Sequence, residues 1–387
     1  SAWYAEAVSA AVDNGLLYGK SSSIIDPNGD MTRAEMAAII NRSFGCYKAA
    51  DISQYKDVSK NKWYYNDVAL AVQMGTYNGR SSSTMAPDAP ISRQEAMTVV
   101  ARALELDYDS YSKTDLSTFS DRSDISSWAL PYVRAMIGAD YIHGRGKILA
   151  PQDNITRAEF AQIFHNIIGT YITTKGSYDK DIKGSVLVRT ADVELKDLTV
   201  DGDLIIGCGV ADGKIVLDNV NVTGRLLVWG GGTKAVYCNN GTQMPEVVVA
   251  RVDDAVKVIY DRDSTLAVID TIKARITERA KQNKETEIIF YDVSGLREAQ
   301  KQLNAIVADN QLSVIAPAHL YAIVGEKSVK AEFTNNSKND TYKIEIRRNK
   351  DDSLITDVFE LAAGKSVSTL TLLEAPEFGN VDCTVTI

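Results

Sequence analysis

The feature that most constrains this chain is a five-residue motif that occurs three times. The copies occupy residues 31–35, 91–95 and 155–159 and read Met-Thr-Arg-Ala-Glu, Ile-Ser-Arg-Gln-Glu and Ile-Thr-Arg-Ala-Glu. Each copy follows a proline and opens an apolar run with the period of a helix. A motif repeated at nearly constant spacing predicts one structural unit used several times in tandem.

Three tryptophans set the register of these repeats. A glycine follows each tryptophan at one fixed interval, and the motif arginine follows at an interval that varies by a single position. The tryptophans are Trp3, Trp63 and Trp128, and the glycines are Gly19, Gly79 and Gly144. Apolar residues five, eight and nine positions after each tryptophan share one face, which predicts a first helix in every repeat. We expect the glycine to adopt a left-handed conformation where this segment ends.

The motif itself predicts the start of a second helix. A Thr or Ser followed three positions later by Glu is the sequence of a capping box. The predicted capping residues are Thr32, Glu35, Ser92, Glu95, Thr156 and Glu159. The motif arginine has no such explanation, because a cation in the first turn opposes the helix dipole.

Two interpretations of Arg33, Arg93 and Arg157 remain open. They pair with a capping Glu or a neighbouring repeat, or they hold a ligand's carboxylate or phosphate with help from the helix N-terminus. The tryptophans are equally open, since an aromatic ring either packs in a core or stacks on a sugar. Each predicted turn also carries a cation directly after its glycine, namely Lys20, Arg80 and Arg145.

Composition narrows the classes of partner. A chain of 387 residues with a net charge of −9 is not expected to bind nucleic acid or an anionic membrane as its main partner, and no apolar run is long enough to span a bilayer. The cysteines Cys46, Cys208, Cys238 and Cys383 form no C-x-x-C pair, and His143, His165 and His319 have no motif around them. We therefore expect no metal, no cofactor and no disulfide between Cys208 and Cys238.

The order Trp, Gly, Pro and Thr-Arg-Ala-Glu resembles the S-layer homology domain, present as a tandem of three over residues 1 to about 170. The resemblance implies a pseudo-threefold spindle of helices. It also implies non-covalent binding of acidic secondary cell-wall polysaccharide, typically through pyruvylated sugars, on a bacterial surface. Carried over by motif, the ligand-binding residues would be the three arginines and the three tryptophans, with the glycines and the following cations beside them.

Three features depart from the family pattern. The Phe-x-Asp segment before each repeat occurs as Tyr55-Lys56-Asp57 and Phe119-Ser120-Asp121 but not before Trp3, which suggests a shortened first repeat. The second motif carries Ser92 and Gln94, and the third repeat carries Asp140 where the others have glycine. The three clefts are therefore expected to differ.

The spacing of apolar residues changes from that of helices to that of short strands after Gly176. Apolar pairs between residues 193 and 206 recur in the same order between residues 215 and 228. Further apolar pairs continue to residues 266–268, and we expect the interval between successive pairs to shorten there. Short strands that recur at such an interval predict the coils of a parallel β-helix. Its aspartates, Asp197, Asp201, Asp203, Asp212 and Asp218, fall mainly where turns are expected, so we predict no enzyme.

The C-terminal part contains some segments with the apolar period of a helix and others with the apolar period of a strand. We predict helices at 271–283 and 296–307, a strand at 287–291, and from residue 314 onward strands separated by polar turns. That last pattern favours a β-sandwich.

These observations predict a multidomain α+β protein. The expected domains are repeats at 1–50, 51–115 and 116–175, a parallel β-helix at 180–270, an α/β linker at 271–313 and a β-sandwich at 314–387. The expected function is non-covalent anchoring of an extracellular protein to the cell wall or S-layer, with an acidic polysaccharide and other surface proteins as partners. The alternatives are a wall-anchored carbohydrate-active enzyme with its site on the β-helix, or a self-assembling lattice protein.

Overall fold

The computed structural model describes residues 2–233, 236–261, 273–291, 314–315, 321–322, 327–335, 341–374 and 383–386. The chain divides into two compact units, residues 1–290 and residues 291–387. The predicted helix at 296–307 and the apolar pair at 266–268 lie outside the described residues.

Among the described residues, six helices build the N-terminal part of the first unit, two from each repeat. They are α1 (Ala5–Asp13), α2 (Arg33–Phe44), α3 (Tyr65–Met74), α4 (Arg93–Ala103), α5 (Leu130–Gly138) and α6 (Arg157–Ile167). The first helix of each repeat packs on the second helix of another repeat: α3 on α2, α5 on α4, and α1 on α6. The contacts therefore run in a closed cycle from the first repeat to the third and back.

The residue before each N-cap lies at the centre of this cycle. Met31, Ile91 and Ile155 are fully buried. Their backbones bond in a ring, since the N–H of Met31 donates to Ile155, that of Ile155 to Ile91, and that of Ile91 to Met31, at 2.9–3.0 Å. Backbone groups this deeply buried need partners, and here each repeat supplies them to another.

All three predicted capping boxes are confirmed. The side chains of Thr32, Ser92 and Thr156 accept the N–H of the glutamate three residues on, and each glutamate accepts the N–H of its N-cap. The next two N–H groups of each helix are also occupied, because they donate to carbonyls of a neighbouring repeat. For α2 these are Arg33 to Ala89 at 3.0 Å and Ala34 to Pro87 at 2.9 Å. The N–H groups at the start of each second helix are therefore already used, and the predicted help of the helix N-terminus to a ligand is not available from them.

The predicted conformation of the glycines is wrong at two of three positions. Gly144 has a φ of +75°, but in the first two repeats the left-handed glycines that end the first helices are Gly15 and Gly75. Gly19 is required for a different reason, because a Cβ there would lie 2.4 Å from the carbonyl oxygen of Ser21. In the third repeat Asp140 takes the left-handed position with a φ of 61°.

Thirteen strands follow within the described residues up to 291. They are β1 (Ile168–Ile172), β2 (Gly176–Tyr178), β3 (Ile182–Lys183), β4 (Ser185–Val188), β5 (Val193–Asp201), β6 (Leu204–Ile206), β7 (Ile215–Val222), β8 (Arg225–Val228), β9 (Val236–Asn239), β10 (Glu246–Val249), β11 (Lys257–Asp261), β12 (Lys273–Ile276) and β13 (Glu287–Tyr291). One sheet has the order β1-β4-β6-β8-β10-β12 and the other β13-β11-β9-β7-β5-β2, with β3 paired to β5. We call β1 to β13 the parallel-sheet region. From β4 onward the chain alternates between the two sheets.

The predicted register between successive apolar pairs is confirmed. Val193 pairs with Ile215 and Leu204 with Leu226, in parallel. The predicted shortening of the interval is wrong, because Val236 pairs with Val258, at the same interval that separates Val193 from Ile215.

The predicted helix at 271–283 is also wrong. Strand β12 occupies residues 273–276, and a single 3-10 turn follows at Ala280–Gln282. Ala274 pairs with Val247 in the growing sheet, so sheet extension overrides the local helical period there.

Arginines of the parallel-sheet region bind the carboxyl ends of four helices. Arg189 donates to the carbonyls of Arg42 at 2.7 Å and Asn14 at 2.8 Å, at the ends of α2 and α1. Arg279 donates to Met74 and Gln73 at the end of α3, and Arg275 and Arg225 both donate to Glu105 after α4. Cations at this end of a helix satisfy its last carbonyls and offset its dipole. The parallel-sheet region thus caps the helical repeats.

The second unit is antiparallel where it is described. Its strands are β14 (Val314–Ile315), β15 (Tyr321–Ala322), β16 (Ser328–Asn335), β17 (Tyr342–Arg348), β18 (Phe359–Leu361), β19 (Ser366–Thr371) and β20 (Cys383–Thr386). β14, β15 and β19 pair with β16, and β18 and β20 pair with β17. The two sheets share one core that includes Phe333, Ile344 and Leu370.

Candidate functional site

The motif arginines lie between repeats, and they are buried. Arg33 is 4% exposed; its Nη1 donates to the Glu95 carboxylate at 2.7 Å, and its Nε and Nη2 donate to the carbonyls of Met85 and Asn78. Its guanidinium also lies 4.9 Å from the centre of the Tyr77 ring. This residue of the first repeat is therefore bound on every side by the second.

The other two motif arginines repeat this arrangement. Arg93 donates to Glu159 at 3.1 Å and to the carbonyl of Leu149 at 2.9 Å. Arg157 donates to Glu35 at 3.1 Å, to the carbonyl of Ile25 at 2.9 Å, and to the carbonyl of Tyr18. The ion pairs form a closed ring, Arg33 to Glu95, Arg93 to Glu159 and Arg157 to Glu35. Of the two interpretations of the motif arginine, pairing with a neighbouring repeat is thus present in the structure.

Each capping glutamate joins three groups. Glu95 accepts the N–H of Ser92 at 2.9 Å, pairs with Arg33, and pairs with the exposed Arg80 at 3.3 Å. Burial opposes ionisation of Glu95, but these hydrogen bonds and cations outweigh it and lower its pKa. The pKa values of Glu35 and Glu159 are lowered by the same balance. All three carboxylates are thus stabilised in their charged form.

The cation after each glycine is the accessible member of the cluster. The side chains of Lys20, Arg80 and Arg145 are 40%, 44% and 38% exposed, whereas those of the motif arginines are at most 6% exposed. Each pairs with the glutamate of its own repeat, Lys20 with Glu35 at 2.7 Å and Arg145 with Glu159 at 2.6 Å. The structure therefore brings the two sets of predicted cations together at one carboxylate in every repeat.

The third cluster differs from the other two in charge. In the first two, two cations meet one carboxylate, so the directly paired groups carry a formal charge of +1. In the third, Arg145 also pairs with Asp153 at 3.0 Å, so two cations meet two carboxylates and the charge is 0. The positions equivalent to Asp153, two residues after the loop proline, are Gly29 and Ala89. Of the three clusters, the first two thus keep a net positive charge among their paired groups.

The predicted tryptophans are the large apolar side chains most open to solvent near the start of each first helix. Trp3, Trp63 and Trp128 are 63%, 59% and 50% exposed. Trp3 and Trp63 each contact the following tyrosine edge to face, at 5.3 and 5.5 Å between ring centres. Exposed indole rings are not packed in the core, which leaves their faces free for another molecule.

Two aspartates hold the loops of these clusters in place, and the sequence alone did not show their role. The carboxylate of Asp57 accepts the backbone N–H groups of Met85 and Ala86, and Asp121 accepts those of Leu149 and Ala150. Burial opposes ionisation of Asp57, yet these bonds lower its pKa. They also support Ala86, which has a φ of 55°. The sequence signal for this role is the aspartate that ends each Tyr/Phe-x-Asp segment, at residues 55–57 and 119–121.

The sequence profile of the S-layer homology domain matches residues 1–37, 54–97 and 118–161. Each match covers the first helix of one repeat and the first five residues of its second helix. The N-terminal part of the chain carries three S-layer homology domains. These domains mark the chain as part of a cell-surface protein associated with the cell wall.

Relatives share this part of the chain. A surface-layer 125 kDa protein of Lysinibacillus sphaericus is 33% identical over 172 residues, 43% of this chain and 14% of that protein. An amylopullulanase of Thermoanaerobacterium thermosulfurigenes is 27% identical over 169 residues, 43% of this chain and 9% of that protein. A cellulosome-anchoring protein of Acetivibrio thermocellus is 29% identical over 150 residues, 37% of this chain and 33% of that protein. The chain thus matches a third or less of each relative, through its S-layer homology domains.

Within the described part of the chain, no helix has the length and apolar character needed to cross a membrane. The same residues contain no cluster of three or more histidine, cysteine or acidic side chains arranged to bind a metal ion.

Proposed function

We propose that the S-layer homology domains anchor this protein by binding an acidic, pyruvylated secondary cell-wall polysaccharide. The observation that carries this proposal is the cluster around each capping glutamate, which offers a solvent-exposed cation in a protein of net charge −9. A ketal-linked carboxylate is an anion that Lys20 or Arg80 can pair with. The exposed tryptophans supply apolar faces for the sugar rings.

We infer different tasks for the two sets of cations. The side chains of Arg33, Arg93 and Arg157 donate their hydrogen bonds to a neighbouring repeat and so position the cluster. A role for these arginines in binding the ligand stays a prediction. Lys20, Arg80 and Arg145 are the groups that an incoming carboxylate can reach without displacing a buried ion pair. Gly19, Gly79 and Gly144 support these cations, because a side chain at each would collide with the turn that follows.

We also infer the finer architecture from the sequence and the contacts. The closed cycle of helix pairs and ion pairs supports a pseudo-threefold spindle. Strands that alternate between two parallel sheets at nearly constant spacing support a short parallel β-helix. The second unit fits the proposed β-sandwich at 314–387. The proposed repeat boundaries at 1–50, 51–115 and 116–175 each enclose one helix pair.

The test is sedimentation of the full chain with purified cell walls that carry the polysaccharide. We expect wild type to bind, and we expect binding to weaken with salt and after mild acid removal of ketal-linked pyruvate. A Lys20→Ala/Arg80→Ala/Arg145→Ala variant should bind at least tenfold more weakly. A Lys113→Ala/Lys175→Ala/Lys180→Ala variant removes the same charge from exposed positions and should bind as wild type does. Equal binding by the two variants would contradict the proposal.

A further inference from the structure

Two cysteine thiols from distant parts of the first unit lie against each other. Cys46 follows the end of α2, and Cys208 lies between β6 and β7. Their sulfur atoms are 3.4 Å apart, although 162 residues separate them in the chain. Since a disulfide bond is about 2.05 Å long, the two sulfurs need to approach by only about 1.4 Å to form one. The pair spans the contact between the helical repeats and the parallel-sheet region.

The backbones beside these thiols are held in close contact. Gly45 precedes Cys46, and Gly209 follows Cys208. A Cβ on Gly45 would lie 2.8 Å from the Cα of Gly209, so the two backbones touch where both residues lack a side chain. Arg189 fixes the same end of α2 through its bond to the Arg42 carbonyl. Backbone packing thus holds the two cysteine positions next to each other.

Both cysteines are partly exposed to solvent. Both line one surface cleft, together with Lys48, Gln73 and Asp253. The hydrogen bond between the two thiols, with burial, raises the pKa of the Cys46 thiol. Since the thiolate is the attacking species, reaction with an external disulfide is expected to be slow at neutral pH and faster in base.

We propose that Cys46 and Cys208 form a disulfide that links the helical repeats covalently to the parallel-sheet region once the protein meets an oxidised thiol compound outside the cell. Extracellular surroundings are where such bonds persist. The expected lack of a bond between Cys208 and Cys238 does not bear on this pair, because Cys238 lies in the core between the sheets. The proposal is independent of what the S-layer homology domains bind.

The reaction is an exchange with a small-molecule disulfide, RSSR. One protein thiolate attacks RSSR, which forms a mixed disulfide and releases one RS⁻. The second protein thiolate then attacks the protein sulfur of the mixed disulfide, which forms the Cys46–Cys208 bond and releases the second RS⁻. The protein thiols are oxidised by two electrons, RSSR is reduced to two thiols, and the two protein thiol protons end on them.

The first experiment maps the bond in the full chain. Reduced protein is incubated with glutathione disulfide, alkylated, digested without reductant and analysed by mass spectrometry. We expect a linked peptide pair that contains Cys46 and Cys208 in wild type and in Cys238→Ser, and its loss in Cys46→Ser and Cys208→Ser. Glutathione adducts without a link, or links that use Cys238 or Cys383 instead, would overturn the proposal.

The second experiment measures the effect of the bond on the stability of the protein. The urea midpoint of oxidised wild type is compared with that of the same sample after reduction by a phosphine. Because the bond closes a loop of 162 residues, the oxidised form should unfold at clearly higher urea concentration. The Cys238→Ser variant should show the same shift. Equal midpoints before and after reduction would refute a disulfide that stabilises the fold.

Discussion

The guanidinium of Arg33 lies 2.7 Å from the carboxylate of Glu95, the capping glutamate of the next repeat. Both residues belong to copies of the same motif, so one motif serves as cap for its own helix and as ion-pair partner for another repeat. The unfavourable interaction of Arg33 with the dipole of its own helix is offset by a carboxylate from outside that helix. Three such pairs close a ring.

Removal of one arginine from this ring should destabilise the protein strongly. Arg33→Ala leaves Glu95 without its buried partner, and breaking a buried pair in this way costs about 3–5 kcal/mol. Arg80→Ala removes an exposed partner of the same glutamate and should cost about 0–1 kcal/mol. Urea unfolding of the full chain measures both. Similar losses in the two variants would show that burial does not distinguish them.

The charged state of Glu95 should make stability depend on acid. Its pKa is lowered on folding from an ordinary value of 4.5, so its contribution is complete above that value and is lost as the pH falls through the folded-state pKa. Glu95→Gln retains a capping side chain but removes the charge. We expect its Tm to lie below that of wild type at neutral pH and to converge with it in acid. A gap that is constant with pH would contradict this assignment.

The third cluster should bind an anion more weakly than the first two, because Asp153 neutralises Arg145. Asp153→Asn restores a formal charge of +1 at that cluster. We expect this change to tighten sedimentation with cell walls by up to about fivefold, the equivalent of an exposed ion pair of about 1 kcal/mol. Asp109→Asn makes the same charge change at an exposed loop and should leave binding unaltered. An equal gain in both variants would mean that net charge alone matters.

Two glycines near the parallel-sheet region allow the cost of backbone strain to be measured apart from the cost of steric overlap. Gly15 and Gly45 have φ values of +67° and +69°, but a Cβ on Gly15 meets nothing within 4 Å whereas one on Gly45 meets Gly209 at 2.8 Å. Gly15→Ala should cost about 1–2 kcal/mol from the left-handed backbone alone. Gly45→Ala should cost about 1–3 kcal/mol more, from overlap. Thermal unfolding of both variants checks the difference.

Local and periodic features were predictable from the sequence. The capping box at Thr32 and Glu35 depends on residues three apart, and the pairing of Val193 with Ile215 follows from a fixed period of apolar residues. The S-layer homology domains were recognisable because three copies agree in residue type and in spacing.

What the sequence did not reveal depends on partners far away in the chain. Nothing local shows that Arg189 meets the end of α2, or that Gly45 faces Gly209. The helix predicted at 271–283 is wrong for the same reason, because residues 273–276 pair with β10 at the edge of a sheet. The motif alone likewise could not distinguish the two interpretations of Arg33, because its partner Glu95 belongs to another repeat.

The closed ring has a practical meaning for anyone who wishes to move this anchor onto other cargo. Arg157 of the last repeat returns to Glu35 of the first, so deleting one repeat leaves an orphaned cation on one side of the gap and an orphaned carboxylate on the other. The four helix ends capped by arginines add a second requirement. A transplantable cassette therefore comprises all three repeats together with the strands that cap them, and shorter grafts forfeit the contacts that make it one body.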